Sequence, residues 1–181
     1  MKIKQTNIKG CFVIEPNVFQ DKRGYFLESY NHSLFNEISG LNVNFVQDNE
    51  SYSLKGVLRG LHYQIGDLAQ AKLVRVIKGK VLDVAVDIRK DSRTYGKYVA
   101  VELSEKNKKL FFVPRGFAHG FIVLSESAIF SYKCDNYYNK EAERGIIYND
   151  VQLGIDWILP KEELNISEKD LRLTNFKSIS F

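Results

Sequence analysis

The 181 residues predict an all-β fold, a sandwich or barrel built from about eight to ten short strands. Three observations carry that expectation. Short apolar stretches alternate with polar turns at regular intervals through most of the chain. The run Val81 to Arg89 alternates strictly, with Leu82, Val84, Val86 and Ile88 on one face and Asp83, Ala85, Asp87 and Arg89 on the other. A hydrophobic content of 44% over 181 residues is enough for one well-buried core and too little chain for two comfortable ones, so a single domain over residues 1–181 is expected.

Taken in order, Cys11-Phe12-Val13-Ile14 reads as a strand closed by Pro16, with a turn at Gln20-Asp21-Lys22-Arg23-Gly24. Tyr25 to Tyr30 alternates as a strand with one buried face. Asn31 is placed to cap a helix running to about Ser39, where Gly40 supplies the stop. Val43 to Glu50 reads as a strand that ends in polar residues. Lys72 to Ile77 and Val81 to Arg89 flank Lys78-Gly79-Lys80 as a hairpin; Tyr98 to Leu103 with Lys109 to Pro114, and Phe121 to Leu124 with Ala128 to Cys134, make two further pairs. From Lys161 the chain is more polar and helical, so the few helices are short, with one near the C-terminus. No repeat, low-complexity run or linker interrupts this pattern.

Charge and cysteine usage remove several function classes. Lys plus Arg total 26 against 22 Asp plus Glu, and they are scattered, so the net +4 describes a solvated surface and not a nucleic-acid stripe. No apolar run approaches a signal peptide or a membrane span, and a soluble, cytoplasmic protein without a membrane partner is expected. Cys11 and Cys134 stand far apart without C-x-x-C spacing and read as free thiols.

The chemistry gathers around Arg59-Gly60-Leu61-His62-Tyr63-Gln64 and Pro114-Arg115-Gly116-Phe117-Ala118-His119. His62, Lys72, His119 and Tyr132 all fall in strand-like contexts. There an unpaired buried polar group costs roughly 1–3 kcal/mol, so partners or a ligand must satisfy them. A metal is the first candidate. The second stretch resembles the P-x-G-x-x-H motif of the cupin jelly-roll superfamily, but the H-x-H that metal-binding cupins need reads here His62-Tyr63-Gln64. Two imidazoles without a carboxylate make a poor site for zinc, iron or manganese. Metal-free acid/base chemistry is expected instead.

Further stretches make the resemblance specific. Arg23-Gly24-Tyr25-Phe26-Leu27-Glu28-Ser29, Gln47-Asp48-Asn49, Leu58 to Gln64, Gln70-Ala71-Lys72-Leu73-Val74-Arg75, Asp83 to Arg89, Pro114 to Phe121 and Leu153-Gly154-Ile155 together resemble the dTDP-4-dehydrorhamnose 3,5-epimerase family over about residues 10 to 172. The resemblance implies a cupin-type jelly-roll β-barrel and a homodimer. It also implies a cofactor-free inversion of C3 and C5 of dTDP-4-keto-6-deoxyglucose, on the route to dTDP-L-rhamnose. It implies His62 as base, Lys72 with His119 at the enolate oxygen, Tyr132 as acid on the far face, and Asp170 holding the His62 tautomer. For the nucleotide it implies Arg23, Glu28, Gln47, Asn49, Arg59, Glu143 and Lys169, with Tyr138 stacking on thymine. In related enzymes some of these groups cross from the partner subunit.

Each assignment has a plainer competitor. His62 alone would more often be a satisfied core histidine, Lys72 an edge-strand lysine, and Tyr132, Tyr137 and Tyr138 core or interface aromatics. Ser167-Glu168-Lys169-Asp170 spells a capping box that would occupy the Asp170 carboxylate, and Asp83 is an alternative partner for His62. Strict alternation sets Arg59 and His62 on opposite faces, unless Gly60 hosts a bulge that re-aims Arg59. Single-site epimerases and 3,4-ketoisomerases of the same scaffold are the rival activities. A sugar-nucleotide binding module has no need of a base, a lysine and a tyrosine together.

Overall fold

The computed structural model of the protein describes residues 1–179. Its early strands are β1 (Lys2–Gln5), β2 (Phe12–Glu15), β3 (Val18–Asp21), β4 (Gly24–Leu27), β5 (Gln47–Leu54) and β6 (Val57–Gln64), with helix α1 (His32–Ser39) before β5. The central strands are β7 (Lys72–Lys78), β8 (Lys80–Asp87), β9 (Tyr98–Ser104), β10 (Leu110–Val113), β11 (Phe117–Val123) and β12 (Ser127–Cys134). Short β13 (Glu143–Gly145) and β14 (Asn165–Ile166) follow, then one turn of helix, α2 (Glu168–Leu171). Asn31 caps α1 by accepting from the Leu34 N–H, and Gly40 ends it at φ 68°, as the sequence predicts.

The strands form two main sheets. One is ordered β1-β2-β10-β7-β12-β5 and the other β13-β6-β11-β8-β9, with β14 added in parallel beside β6. Phe111, Phe130 and Val74 of the first sheet pack with Ala85, Leu103 and Phe121 of the second, and the Phe121 and Phe130 rings stack at 4.1 Å. Each fully buried ring contributes roughly 1.5–3 kcal/mol. The jelly-roll expected from the sequence therefore forms, as two facing sheets that are not closed into a barrel.

The strand pairing differs from expectation. β7 lies in one sheet and β8 in the other, so Lys78-Gly79-Lys80 is a corner between sheets and not a hairpin turn. The other two expected pairs, β9 with β10 and β11 with β12, are divided between the sheets in the same way, whereas β8 pairs with β9 and β11. Alternation reports that a strand has two unlike faces. It carries no information on which neighbour supplies the ladder.

Two other boundaries move. Val43 to Val46 is not strand, and the ladder begins at Gln47. Phe45 instead packs edge-on against Phe35 of α1, with ring centroids 5.5 Å apart, in an apolar cluster outside the first sheet. The segment from Tyr25 has no buried face: β3 and β4 form a separate two-stranded ribbon on which Phe19, Tyr25 and Phe26 are 63%, 55% and 69% exposed.

Both faces of β8 are buried, and the apolar one does not face the opposite sheet. Leu82, Val84 and Val86 are covered by Ile146, Trp157 and Phe176 of the C-terminal third. That leaves Asp83 and Asp87 pointing inward, both fully buried. Burial alone would raise the Asp87 carboxyl, but hydrogen bonds from Arg89, Ser92 and Thr94 hold it at about 2. It thereby fastens the loop that follows β8.

On β6 strict alternation is broken by a bulge at Gly60, the alternative that re-aims Arg59. His62 pairs with His119 and Arg59 with Phe121, so three steps along β6 match two along β11. The extra residue brings Arg59 and His62 to one face. Gly60 sits at φ +121°, where a Cβ would lie 2.6 Å from Gly120 Cα and 2.7 Å from the His119 carbonyl oxygen. Gly60→Ala should therefore cost about 2–4 kcal/mol, read as a lower urea midpoint, because it adds backbone strain and a clash with the facing strand. An unchanged midpoint would show that the bulge does not need glycine.

Candidate active site

Side-chain alternation on the facing sheets brings the polar groups together. On the second sheet, β6 supplies Arg59 and His62 and β11 supplies His119; on the first, β7 supplies Lys72 and β12 supplies Tyr132. They line a cavity of about 450 Å³ between the sheets. A second chamber of about 300 Å³ shares His62, Lys72 and Tyr132 and adds Gln47, Asn49, Tyr138 and Glu143. The two chambers have the dimensions of a small-molecule site.

Each of the two cavity histidines has its own carboxylate. His62 Nε2 lies 2.7 Å from Asp170 Oδ1, and His119 Nε2 lies 2.9 and 3.0 Å from the two oxygens of Asp83. Asp83 is therefore the partner of His119, and the question of which aspartate faces His62 is answered. Asp170 is held twice more: its Oδ2 accepts the Gly60 N–H at 3.2 Å, and its own N–H donates to Ser167 Oγ at 3.1 Å. Ser167 thus caps α2 as the sequence predicts, but the Asp170 carboxylate is turned away from the cap toward β6. Burial alone would raise the Asp170 carboxyl; the hydrogen bond and charge of His62, with the Gly60 N–H, outweigh it and hold the group below the ordinary carboxylate range.

The opposite wall is less polar. Burial pushes the Lys72 ammonium down, against a smaller pull upward from Cys134, Asp83 and Glu143, and its Nζ stands 5.8 Å from the centre of the Tyr132 ring. Burial raises the Tyr132 phenol and likewise holds the Cys134 thiol at about 11, so both keep their protons at neutral pH. Cys11 is the other free thiol, buried outside the cavity lining.

In the smaller chamber the Tyr138 hydroxyl donates to Glu143 Oε2 at 2.9 Å, and Lys169 Nζ donates to the same oxygen at 2.6 Å. Burial alone would raise Glu143, but these two bonds hold it low. Gln47 donates to Asn49 at 3.0 Å and accepts the Tyr138 N–H at 2.9 Å. Arg59 is steadied by Ser53 Oγ, which accepts from its Nε at 3.1 Å.

Arg23 and Glu28 are not among these residues. Arg23 is at the turn of the exposed β3–β4 ribbon, paired with Asp21, and Glu28 accepts from Asn31 just before α1. The sequence reading passed over Ser51 and Ser53, which follow Gln47 and Asn49 on the inward face of β5; extending the alternation by two more steps would have found them. Among the described residues, no three His, Cys, Asp or Glu side chains group as a metal ligand set.

A protein-family model described as dTDP-4-dehydrorhamnose 3,5-epimerase matches residues 5–178. The dTDP-4-dehydrorhamnose 3,5-epimerase of Escherichia coli K12 is 52% identical over 174 residues, covering 96% of this chain and 93% of its own. The crystal structure of the enzyme of that name from Elizabethkingia anophelis is 56% identical and superposes with a TM-score of 0.96 over 100% of this chain and 99% of its own. A 3,5-epimerase from Legionella pneumophila, solved with dTDP-4-keto-L-rhamnose, is 49% identical with a TM-score of 0.95, over 99% of this chain and 94% of its own. With matches that run nearly end to end in both sequence and fold, the chain belongs to the dTDP-4-dehydrorhamnose 3,5-epimerase family.

Proposed function

We propose that this protein converts dTDP-4-keto-6-deoxy-D-glucose to dTDP-4-keto-L-rhamnose, a step of dTDP-rhamnose biosynthesis, with His62 as base and Tyr132 as the opposing acid. The observation that carries the division of roles is their placement. A histidine with a buried carboxylate behind it stands on one sheet, and a protonated phenol beside a half-buried lysine stands on the other.

Epimerisation beside a ketone needs three groups. A base removes the proton on C3 or C5, a donor steadies the negative oxygen of the enolate, and an acid returns a proton to the other face. With Nε2 of His62 committed to Asp170, Nδ1 is the ring nitrogen that takes the proton, and the carboxylate supports the imidazolium that forms. Lys72 is the donor to the enolate oxygen, and His119, held at Nε2 by Asp83, lines the wall beside it. Tyr132 gives its proton from the opposite wall, and exchange with solvent resets both groups for the second carbon. Gln47, Asn49, Glu143 and Tyr138 hold the nucleotide in the smaller chamber, with Lys169 joined to them through Glu143, and Arg59 faces the diphosphate, where a guanidinium fork matches phosphate oxygens in pairs.

The protein works as a homodimer in this reading. The ribbon that carries Arg23 is detached from its own cavity and shows exposed aromatic surface, with Phe19 directly opposite Phe26, and a second copy gives that surface a partner. Arg23 and Glu28 then complete the neighbouring site. No helix among the described residues is long and apolar enough to cross a membrane, and a cytoplasmic setting suits a nucleotide-sugar substrate.

Three experiments test this. In heavy water the wild-type protein should place deuterium at both C3 and C5 of the sugar. His62→Ala should lose about 100- to 10,000-fold of exchange at both carbons, while Tyr132→Phe keeps exchange and loses inversion; label at one carbon alone would make the protein a single-site epimerase. Because burial lowers the Lys72 ammonium, kcat should fall on the alkaline side below the ordinary lysine value of 10.5 as Lys72 loses its charge, and Lys72→Arg should move that limb upward. An alkaline limb untouched by Lys72→Arg would remove the lysine from the mechanism. Mixing inactive Arg23→Ala with inactive His62→Ala protein should restore about a quarter of wild-type activity through hybrid dimers, whereas no recovery would keep Arg23 with its own chain.

A further inference from the structure

Tyr138 combines two properties that do not usually go together. Its side chain is 54% exposed on a stretch, Tyr137 to Asn139, that belongs to no helix or strand, yet the backbone around it is fastened on every side. Gln64 does most of this. Its Nε2 donates to the Tyr137 carbonyl at 3.1 Å and to the Leu68 carbonyl at 2.6 Å, and its Oε1 accepts the Asn139 N–H at 2.7 Å. One buried side chain thus brackets Tyr138 from both neighbours. Gln47 takes the Tyr138 N–H, and Gln70 donates to the Asn136 carbonyl at 2.8 Å.

We propose that Gln64 is a positioning residue for nucleotide binding, which acts by holding the Tyr138 ring ready to stack on the base. This rests on the functional reading above, in which Tyr138 meets the thymine. Gln64 follows His62 by two residues on the inward face of β6 and lines the nucleotide chamber. It occupies the place of the second histidine in the H-x-H of metal-binding cupins. All three polar contacts of its amide go to backbone groups of the two loops it joins, so its work is to order chain. An aromatic platform on a loose loop must lose backbone freedom when the ligand arrives, and one fixed beforehand does not. Fixing one residue in advance is worth about tenfold in affinity, equivalent to ~1.4 kcal/mol.

The test is a double-mutant cycle on the full-length protein, with kcat and KM for the keto-sugar nucleotide and the Kd of dTDP measured by calorimetry. Gln64→Ala should raise KM and the dTDP Kd about tenfold and leave kcat within about twofold of wild type. Tyr138→Ala should do at least as much, and the double variant should be no worse than Tyr138→Ala alone, because Gln64 acts through that ring. Gln64→Met keeps most of the side-chain volume and removes all three contacts, so it should show the same KM effect; it also serves if Gln64→Ala fails to fold. Additive effects in the cycle, or a fall in kcat at unchanged KM, would overturn the proposal and leave Gln64 a purely structural or catalytic group. A Tyr138→Ala protein that binds dTDP as wild type does would overturn the stacking role of Tyr138, and this proposal with it.

Discussion

The Asp170 carboxylate accepts from two groups more than a hundred residues upstream, the Gly60 N–H and His62 Nε2. The first contact occupies a backbone donor freed by the bulge, and the second gives the histidine its orientation. Were the carboxylate absent, the bulge N–H would be a buried donor without a partner, at roughly 1–3 kcal/mol, and the imidazole would lose its orienting contact. The bulge in turn is what returns Arg59 to the face that His62 occupies. Local backbone geometry, tautomer and active-site composition therefore depend on the docking of one short helix at the far end of the chain.

The interior of the sandwich is divided by chemistry. Its far part is closed by phenylalanine and aliphatic packing, while toward one end it carries His62, His119, Lys72, Tyr132 and two buried aspartates. Such polarity inside a core is tolerated because each of these histidines is paired with an aspartate, while Lys72 and Tyr132 face the cavity. Among the described residues, Ser51 Oγ is the one buried side-chain polar atom without a hydrogen bond, and it belongs to the cavity lining. The apolar stripe of β8, which might be expected to fill the interior, is instead covered by the C-terminal third. That arrangement frees the inner face of the strand for Asp83 and so for the support of His119.

Much of this was legible beforehand. The Asn31 cap and the Gly40 stop are local devices whose chemistry depends on residues one turn away, and both are realised. Gly60, between Arg59 and His62, marked the one place where a bulge would bring to one face two residues that the resemblance puts in a single site. The inward polar groups on β5 follow from alternation once Gln47 and Asn49 are placed, although the reading stopped short of Ser51 and Ser53. The sheet assignment of the strand pairs is not local: Lys78-Gly79-Lys80 satisfies a tight turn equally well whether it joins two neighbours in one sheet or rounds the corner between two sheets.

Most of the strands, the caps of α1 and the family follow from the sequence alone, because these rest on period-two patterning, turn chemistry and motif residues close together in the chain. Only the tertiary structure decided which aspartate serves which histidine, since Asp83 and Asp170 are both acidic residues at strand or helix positions and nothing local separates them. The same holds for Gln64, whose role is set by two loops that meet it in space, and for Arg23, whose distance from its own cavity comes from the detached ribbon. Patterning acts over a few residues along the chain. Pairing across a sheet, or between a strand and a helix 110 residues away, depends on which surfaces are left to be buried together.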